Sequence, residues 1–299
     1  MSEVQGEVKH TEVRGIWRDI KVPNAAGWQS SADEFGLTEL QRSIIGSRRN
    51  LPQVIEGEEW LLVQFLLPKL QQNQLKLQRL VALVGEKELV TLHVGSLPED
   101  VVEQIIMRTQ NLNSPSGILA CITDAVTDLY GPILDDIEDI IDSIQDTIMR
   151  DPTEKQLHQL FVYKKLLASL RRVILPTTAI IGALSDGRYK TIDKKVWAYL
   201  RESYDYMWRA RELIEGSRDL LTSALDTYMS VVSNRLNDVM KRLTIVATVF
   251  MPISFWASLG GINFTQMPFD SNFAFVSFMV ICLILPIAML IYFRKQGWI

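Results

Sequence analysis

Asn234–Asn263, NRLNDVMKRLTIVATVFMPISFWASLGGIN, is the stretch whose reading decides the fold. A charged helix end runs directly into 19 uncharged residues, Leu243–Gly261, and the run closes on Gly260, Gly261, Ile262 and Asn263. As a helix, that length crosses about 30 Å of hydrocarbon. A second uncharged run, Phe273–Phe293, follows after a short connection, and from Leu243 to Phe293 the only charged residue is Asp270. The expectation is two transmembrane helices at the C-terminal end. No other part of the chain is expected to enter a bilayer.

The average composition hides this asymmetry. Charged residues make up 22% of 299 and the net charge is −4, values ordinary for a soluble protein. The opening residues, MSEVQGEVKHTEVRG, have no apolar core of the kind a signal peptide needs. Lys241 and Arg242 precede the first apolar run, Arg294 and Lys295 follow the second, and the connection between them has no Lys or Arg. The positive-inside rule then puts both termini in the cytoplasm, with the chain in the cytoplasmic (inner) membrane and the short loop outside. Two cysteines, Cys121 and Cys282, and three scattered histidines offer neither a disulfide framework nor a zinc cluster. No Walker loop, G-x-G-x-x-G or H-E-x-x-H is present. The chain reads as no enzyme, with no cofactor and no nucleic-acid partner.

Ahead of the apolar runs lies an α+β cytoplasmic domain, 1–115. GIWRDIKV alternates as a strand ending at Pro23, and Thr38 with Gln41 makes a capping box. Leu61–Leu67 and Leu80–Val84 are strand-length runs, and Gly85-Glu86-Lys87 turns the second into ELVTLHV as a hairpin. Pro98-Glu99-Asp100 has the chemistry of a helix start. Asn113–Gly117 reads as a loop. Residues 116–187 form a helical hairpin, one arm acidic (Asp124, Asp128, Asp135, Asp136, Glu138, Asp139, Asp142, Asp146) and the other basic. Gly131-Pro132 is expected to kink the acidic arm. That acidic run is either a solvated face or a cation reservoir near a pore mouth.

From Ile192 to Gly261 proline occurs only at Pro252. A helix over that range is about 105 Å long, the dimension of a stalk packed against copies of itself. On it Asn237, Met240, Thr244, Ala247, Met251, Ser254 and Ser258 recur at alternating steps of three and four. Bulky Ile245, Val249, Phe250, Ile253 and Trp256 lie off this stripe. Small and polar side chains in a membrane face other helices or a water path. Periodicity leaves both readings open.

The motif LTIVATVFMPISF, then GGIN, a second apolar run and the tail YFRKQGWI resemble the CorA family of divalent-cation transporters. The resemblance implies a homopentameric funnel in which a stalk helix continuous with the pore-lining first span (188–263), an external loop (264–272), a second span (273–293) and a basic tail (294–299) follow one another. It implies a ring of Asn263 side chains at the pore mouth, set by Gly261 and Ile262 of the signature. Neutral oxygens suit magnesium, which sheds its water reluctantly. It further implies a hydrophobic constriction at Met240, Leu243 and Met251, gating by dewetting, and polar rings at Asn237 and Ser254. Thr244 and Ser258 complete the lining. Arg294 and Lys295 resemble the family's basic collar.

Three departures bear on the ion. The signature reads Gly-Ile-Asn where the family has Gly-Met-Asn, which is closer to the zinc-handling branch typified by ZntB. In the loop, Phe269 takes the acidic position and Asp270 follows it, so five copies of Asp270 would attract cations. Glu202 and Asp205 resemble the family's regulatory metal carboxylates, yet the expected partner region, Trp60–Gly85, has no Asp or Glu. The two are either that site or plain surface charges. The resemblance therefore implies divalent cations, magnesium or zinc, as substrate and as possible regulator. The alternatives are a zinc-preferring transporter of the same fold and a membrane-anchored oligomeric scaffold with a closed pore.

Overall fold

A computed structural model describes residues 15–22, 25–47, 51–71, 74–109, 112–260 and 272–298. The chain forms two compact units, Met1–Leu225 and Asp226–Ile299. The first is built on a five-stranded sheet of order β1-β5-β4-β3-β2, from β1 (Trp17–Val22), β2 (Gln53–Glu56), β3 (Leu61–Gln71), β4 (Gln74–Val84) and β5 (Leu89–Val94). β1 runs parallel to β5, and the remaining pairs are antiparallel. The hairpin expected across Gly85–Lys87 is the β4–β5 turn, closed by Gly85 N–H donating to Glu88 O at 3.0 Å.

Both faces of this sheet are covered, which explains why β3 and β4 read as unbroken apolar runs and not as alternating strands. On one face Leu62, Val81, Leu83, Val90 and Leu92 pack under Trp28 and Ala32 of α1 (Ala25–Glu34), Phe35 just beyond it, and Ile45 of α2 (Glu39–Gly46). The predicted capping box opens α2: Thr38 N–H donates to Gln41 Oε1 at 3.1 Å and Gln41 N–H to Thr38 Oγ1 at 3.4 Å. The Gln41 amide also donates to Trp60 O at 2.8 Å, tying the helix to the turn before β3. After β5, α3 (Glu99–Arg108) starts at Pro98, as its chemistry suggests.

The other face carries α4 (Pro115–Asp128), which begins inside the segment read as a loop. Ser114 caps it, accepting from Gly117 N–H at 3.1 Å, and Pro115 takes the first-turn position where its missing N–H costs nothing. Near Gly131-Pro132, where a kink is expected, a single turn residue, Leu129, interrupts the helix at still-helical φ −68° and ψ −20°, and the chain continues as α5 (Tyr130–Arg150). Gly131 permits a close approach: the Tyr206 hydroxyl occupies the space a Cβ would need. After the turn 151–153, α6 (Glu154–Ser185) packs back on α5, the antiparallel hairpin expected.

A short 3₁₀ turn, Lys194–Val196, leads into α7 (Trp197–Gly260), 64 residues in one helix. In the first unit its buried residues are Leu200, Ser203, Met207, Ala210, Ile214, Ser217, Leu221 and Ala224, alternating by three and four. This is the period at which one face of a helix stays on a neighbour. Gly182 on α6 accepts the Tyr204 ring against its backbone, and Arg171 on α6 bonds Glu215 at 2.7 Å.

The second unit contains the C-terminal part of α7 and α8 (Asn272–Lys295). Among the described residues, four helical segments are long and apolar enough to cross a membrane: Pro115–Arg150, Glu154–Ser185, Lys194–Leu259 and Val276–Lys295. This corrects the expectation that only the C-terminal end qualifies. Burial separates them: 67% and 56% of the apolar windows in the first two are buried in protein, against 6% in each of the last two.

The Tyr130 hydroxyl, fully buried, donates to Leu66 O at 2.6 Å, joining α5 to β3. Tyr130→Phe leaves that carbonyl unpartnered and is expected to cost about 1–3 kcal/mol. The check is a fall in the thermal midpoint of the full chain in detergent, with Tyr189→Phe, a half-buried tyrosine in the connection after α6, as control.

Candidate functional site

Along the second unit α7 has two contrasting faces. Ile245 is 8% exposed, Val249, Pro252, Ile253 and Trp256 are half-buried, and the Trp256 ring meets Phe278 of α8 edge-on at 6.4 Å. The stripe residues Asn237, Met240, Thr244, Ala247, Met251, Ser254 and Ser258 are all exposed, Met251 at 72%. At about 100° per residue, the stripe's centre lies about 155° around the helix from this packed face. The off-stripe residues therefore divide: Ile245, Val249, Ile253 and Trp256 turn inward, whereas Phe250 is exposed. Leu243, assigned to the constriction by resemblance, stands about 60° from Met240 and shares its side with Val246 and Phe250.

The stripe's chemistry is mild. Thr244 Oγ1 donates to Met240 O at 2.8 Å, so its hydroxyl proton is satisfied within the helix. Asp238 pairs with Lys241 at 3.6 Å beside the stripe's lower end. Gly261, Ile262, Asn263 and Asp270 lie outside the described residues. Arg294 and Lys295 occupy the last turn of α8, where positive charge offsets the exposed carbonyls of the helix end.

Glu202 and Asp205 have different surroundings. Asp205 pairs with Arg201 one turn back, at 3.5 Å. Glu202 lines a cavity of about 300 Å³ with Arg108, Cys121, Asp124 and Tyr199. Arg108 of α3 bonds Asp124, and its other nitrogen reaches Asp128 at 2.9 Å. Sequence reasoning missed Arg108, which lies far from these aspartates in the chain and carries no motif. It takes two carboxylates out of the acidic run; Asp135, Asp136, Asp139, Asp142 and Asp146 remain exposed on α5. Burial raises the Asp124 carboxyl above the usual range, with Asp128 and Glu202 adding to the rise against Arg108. Among the described residues no three His, Cys, Asp or Glu side chains are grouped to hold a metal ion.

An α/β unit, a long helix with a bare stripe of small and polar residues, and a second apolar helix with a basic end follow one another in this chain. The solved CorA magnesium transporter from Methanocaldococcus jannaschii has the same fold, with a TM-score of 0.81 over 95% of this chain and 91% of that one, at 19% identity. The cobalt/magnesium transport protein CorA of Thermotoga maritima is 28% identical over 98% of this chain and 89% of its own length. The zinc transport protein ZntB of Yersinia pseudotuberculosis is 22% identical over 66% of this chain and 62% of its own. The model of the CorA-like Mg2+ transporter protein family matches residues 14–295, and the chain belongs to that family. Its members transport divalent metal ions across membranes and are not enzymes.

The cavity beside Glu202 carries a pH signature. Burial, and then the Asp124 carboxylate, push the Cys121 thiol up to about 11. In a Cys282→Ser background, a thiol-reactive disulfide should label Cys121 at pH 8 on the order of a hundredfold more slowly than an exposed thiol. The rate should climb with pH until about 11. Labelling at the speed of a free thiol would show that the cavity does not shield it.

Proposed function

We propose that this chain carries divalent cations through a central pathway in a homopentamer, with α7 lining the pathway and α8 outside it. The observation that carries the reading is the exposed stripe on α7. Its small and polar residues lie away from the face that packs on α8, and a face with hydroxyls and amides does not suit lipid. Two spans per chain are supported by the two helices whose apolar windows lie bare. The basic residues at their ends put both termini on the cytoplasmic side of the inner membrane.

On this reading residues 1–115 and 116–187 are the cytoplasmic domain and its hairpin, and 188–263 the stalk and first span. Residues 264–272, 273–293 and 294–299 are the outer loop, second span and tail. Asn263 presents a ring of neutral oxygens at the mouth, behind Gly261 and Ile262, and Asp270 draws cations toward it. Met251 and Met240 narrow the path as dewetting constrictions, with Leu243 at its edge, and Asn237, Thr244, Ser254 and Ser258 give water its contacts. The membrane potential drives inward flux, worth about 4.6 kcal/mol per divalent ion per 100 mV. A regulatory cation at Glu202 and Asp205 requires ligands from a neighbouring copy, because Asp205 turns to Arg201 and Glu202 to the Asp124 cavity.

A zinc preference is the second reading. It is favoured by Ile262 in the signature and by the ZntB relatives.

Flux of magnesium, cobalt, nickel and zinc into proteoliposomes tests both. Asn263→Ala is expected to reduce flux roughly tenfold or more, equivalent to about 1.4 kcal/mol in the barrier. Unchanged flux in that variant removes the asparagine ring, and flux of zinc alone selects the second reading. No flux of any divalent ion leaves only a scaffold. Mass in detergent is expected to be five times that of the 34.1 kDa chain; a dimer defeats the pathway.

Cysteines placed at Ala247 and Ser254 should react with a membrane-impermeant thiol reagent at least roughly tenfold faster than cysteines at Val249 and Ile253, because only the first pair meets water. Equal rates would mean that the stripe packs against protein and has no water path.

A further inference from the structure

The end of α8 is a built turn. Gly297 adopts φ 70°, a conformation that favours glycine. Its N–H donates to Arg294 O at 3.2 Å, and the Trp298 N–H donates to Phe293 O at 3.0 Å. These are the two backbone bonds of a Schellman turn, and the apolar contact that accompanies one is present as well. The Trp298 ring stacks on Phe293 at 5.5 Å with 24° between planes, and Phe293 is itself buried. Backbone and ring of Trp298 are thus fixed together.

The turn delivers this side chain to the stripe on α7. Trp256 meets Phe278 at one end of the helix pair. From 278 to 293 α8 rises about 22 Å, the same rise that separates Trp256 from Lys241 on α7. At that level Trp298 shares a groove of about 580 Å³ with Asn237, Met240 and Thr244 of the stripe and with Asn234, Asp238 and Lys241 beside them. Among the described residues Trp298 is the one member of this lining that α7 does not supply. Lys241, the only cation in the lining, is paired with Asp238 at 3.6 Å, so the groove is electrically neutral. Every side chain of residues 233–244 is exposed, and burial resumes only at Ile245.

We propose that Trp298 is a positioning residue of the cation pathway. Fixed by the Gly297 turn, its ring braces the part of α7 that carries Asn237 and Met240, and so sets the width of the inner constriction without touching the ion. A broad, rigid indole backed by a buried ring suits a brace, because it fills space with little freedom of its own. Neutrality of the groove suits it too, since an unpaired charge there would hold a passing ion instead of letting it leave. The proposal rests on the pathway given above and adds the C-terminal tail to it.

Thiol labelling of the full chain in detergent tests it without any ion flux. In a Cys282→Ser background, Asn237→Cys is expected to react with an impermeant thiol reagent roughly tenfold faster once Trp298→Ala is added, and at about its former rate with Trp298→Phe, whose ring keeps the brace. Gly297→Ala should act like Trp298→Ala; its Cβ meets nothing within 4 Å, so its effect comes from the positive φ alone. Ser258→Cys, at the far end of the stripe, is the reference. A rate at Asn237→Cys that does not respond to Trp298→Ala overturns the proposal. So does an equal rise at Ser258→Cys, which would mean a general loosening. In proteoliposomes Trp298→Ala is expected to change the maximal flux roughly threefold or more and to leave the half-saturating concentration in place, because the ion is captured at the mouth. A shift in half-saturation with maximal flux unchanged also overturns it. Failure of the pathway itself shows separately, as flux unchanged by Asn263→Ala, and does not enter the labelling readout.

Discussion

One helix carries two kinds of surface. α7 runs 64 residues from Trp197 to Gly260, and its side chains change character along the way. In the first unit a heptad-spaced seam from Leu200 to Ala224 is buried against protein, with the charged residues between its positions facing out. From Leu243 onward the same helix carries no charge, and most of its surface is exposed apolar side chain. A backbone in hydrocarbon must close its own hydrogen bonds, so a continuous helix is the form that serves both lengths. The rest of the structure accommodates that helix.

The accommodation is chemical at each contact. Gly131 and Gly182 let Tyr206 and Tyr204 of α7 come against the backbones of α5 and α6. Arg171 and Arg218 converge on Glu215, each at 2.7 Å, and hold that carboxylate below its usual range. Arg108 settles Asp124 and Asp128 where α4 turns into α5. In the second unit α8 covers only the Ile245–Trp256 side of α7 and leaves the small-residue stripe bare. That uncovered apolar and small-residue surface is in keeping with a family of membrane metal-ion transporters.

Local chemistry was legible along the chain. Thr38 and Gln41 announced their box, Pro98 its helix, Gly85 its hairpin, and the stripe from Asn237 to Ser258 its spacing. What escaped was whatever depended on distant partners. Asn113–Gly117 has loop composition, yet Ser114 and Pro115 use that composition to start a helix. Pro115–Arg150 and Glu154–Ser185 are apolar enough for a membrane, and only their burial against the sheet and each other accounts for that apolarity. Glu202 and Asp205 resemble a regulatory metal pair in sequence, and only the fold shows that Asp205 pairs with Arg201 and that Glu202 lines the Asp124 cavity.

By itself the sequence determined the two charge-free lengths, the heptad-like stripe and the basic residues at their ends, because these are one-dimensional properties of composition and period. It also carried the Gly-Ile-Asn signature and with it the resemblance that the family match establishes. Tertiary structure alone decided which face of α7 meets α8, which acids Arg108 removes from the acidic run, and that Gly297 folds Trp298 back onto Phe293. Each of these depends on which side chains are brought within a few ångströms of one another, and periodicity along one helix does not specify its neighbour.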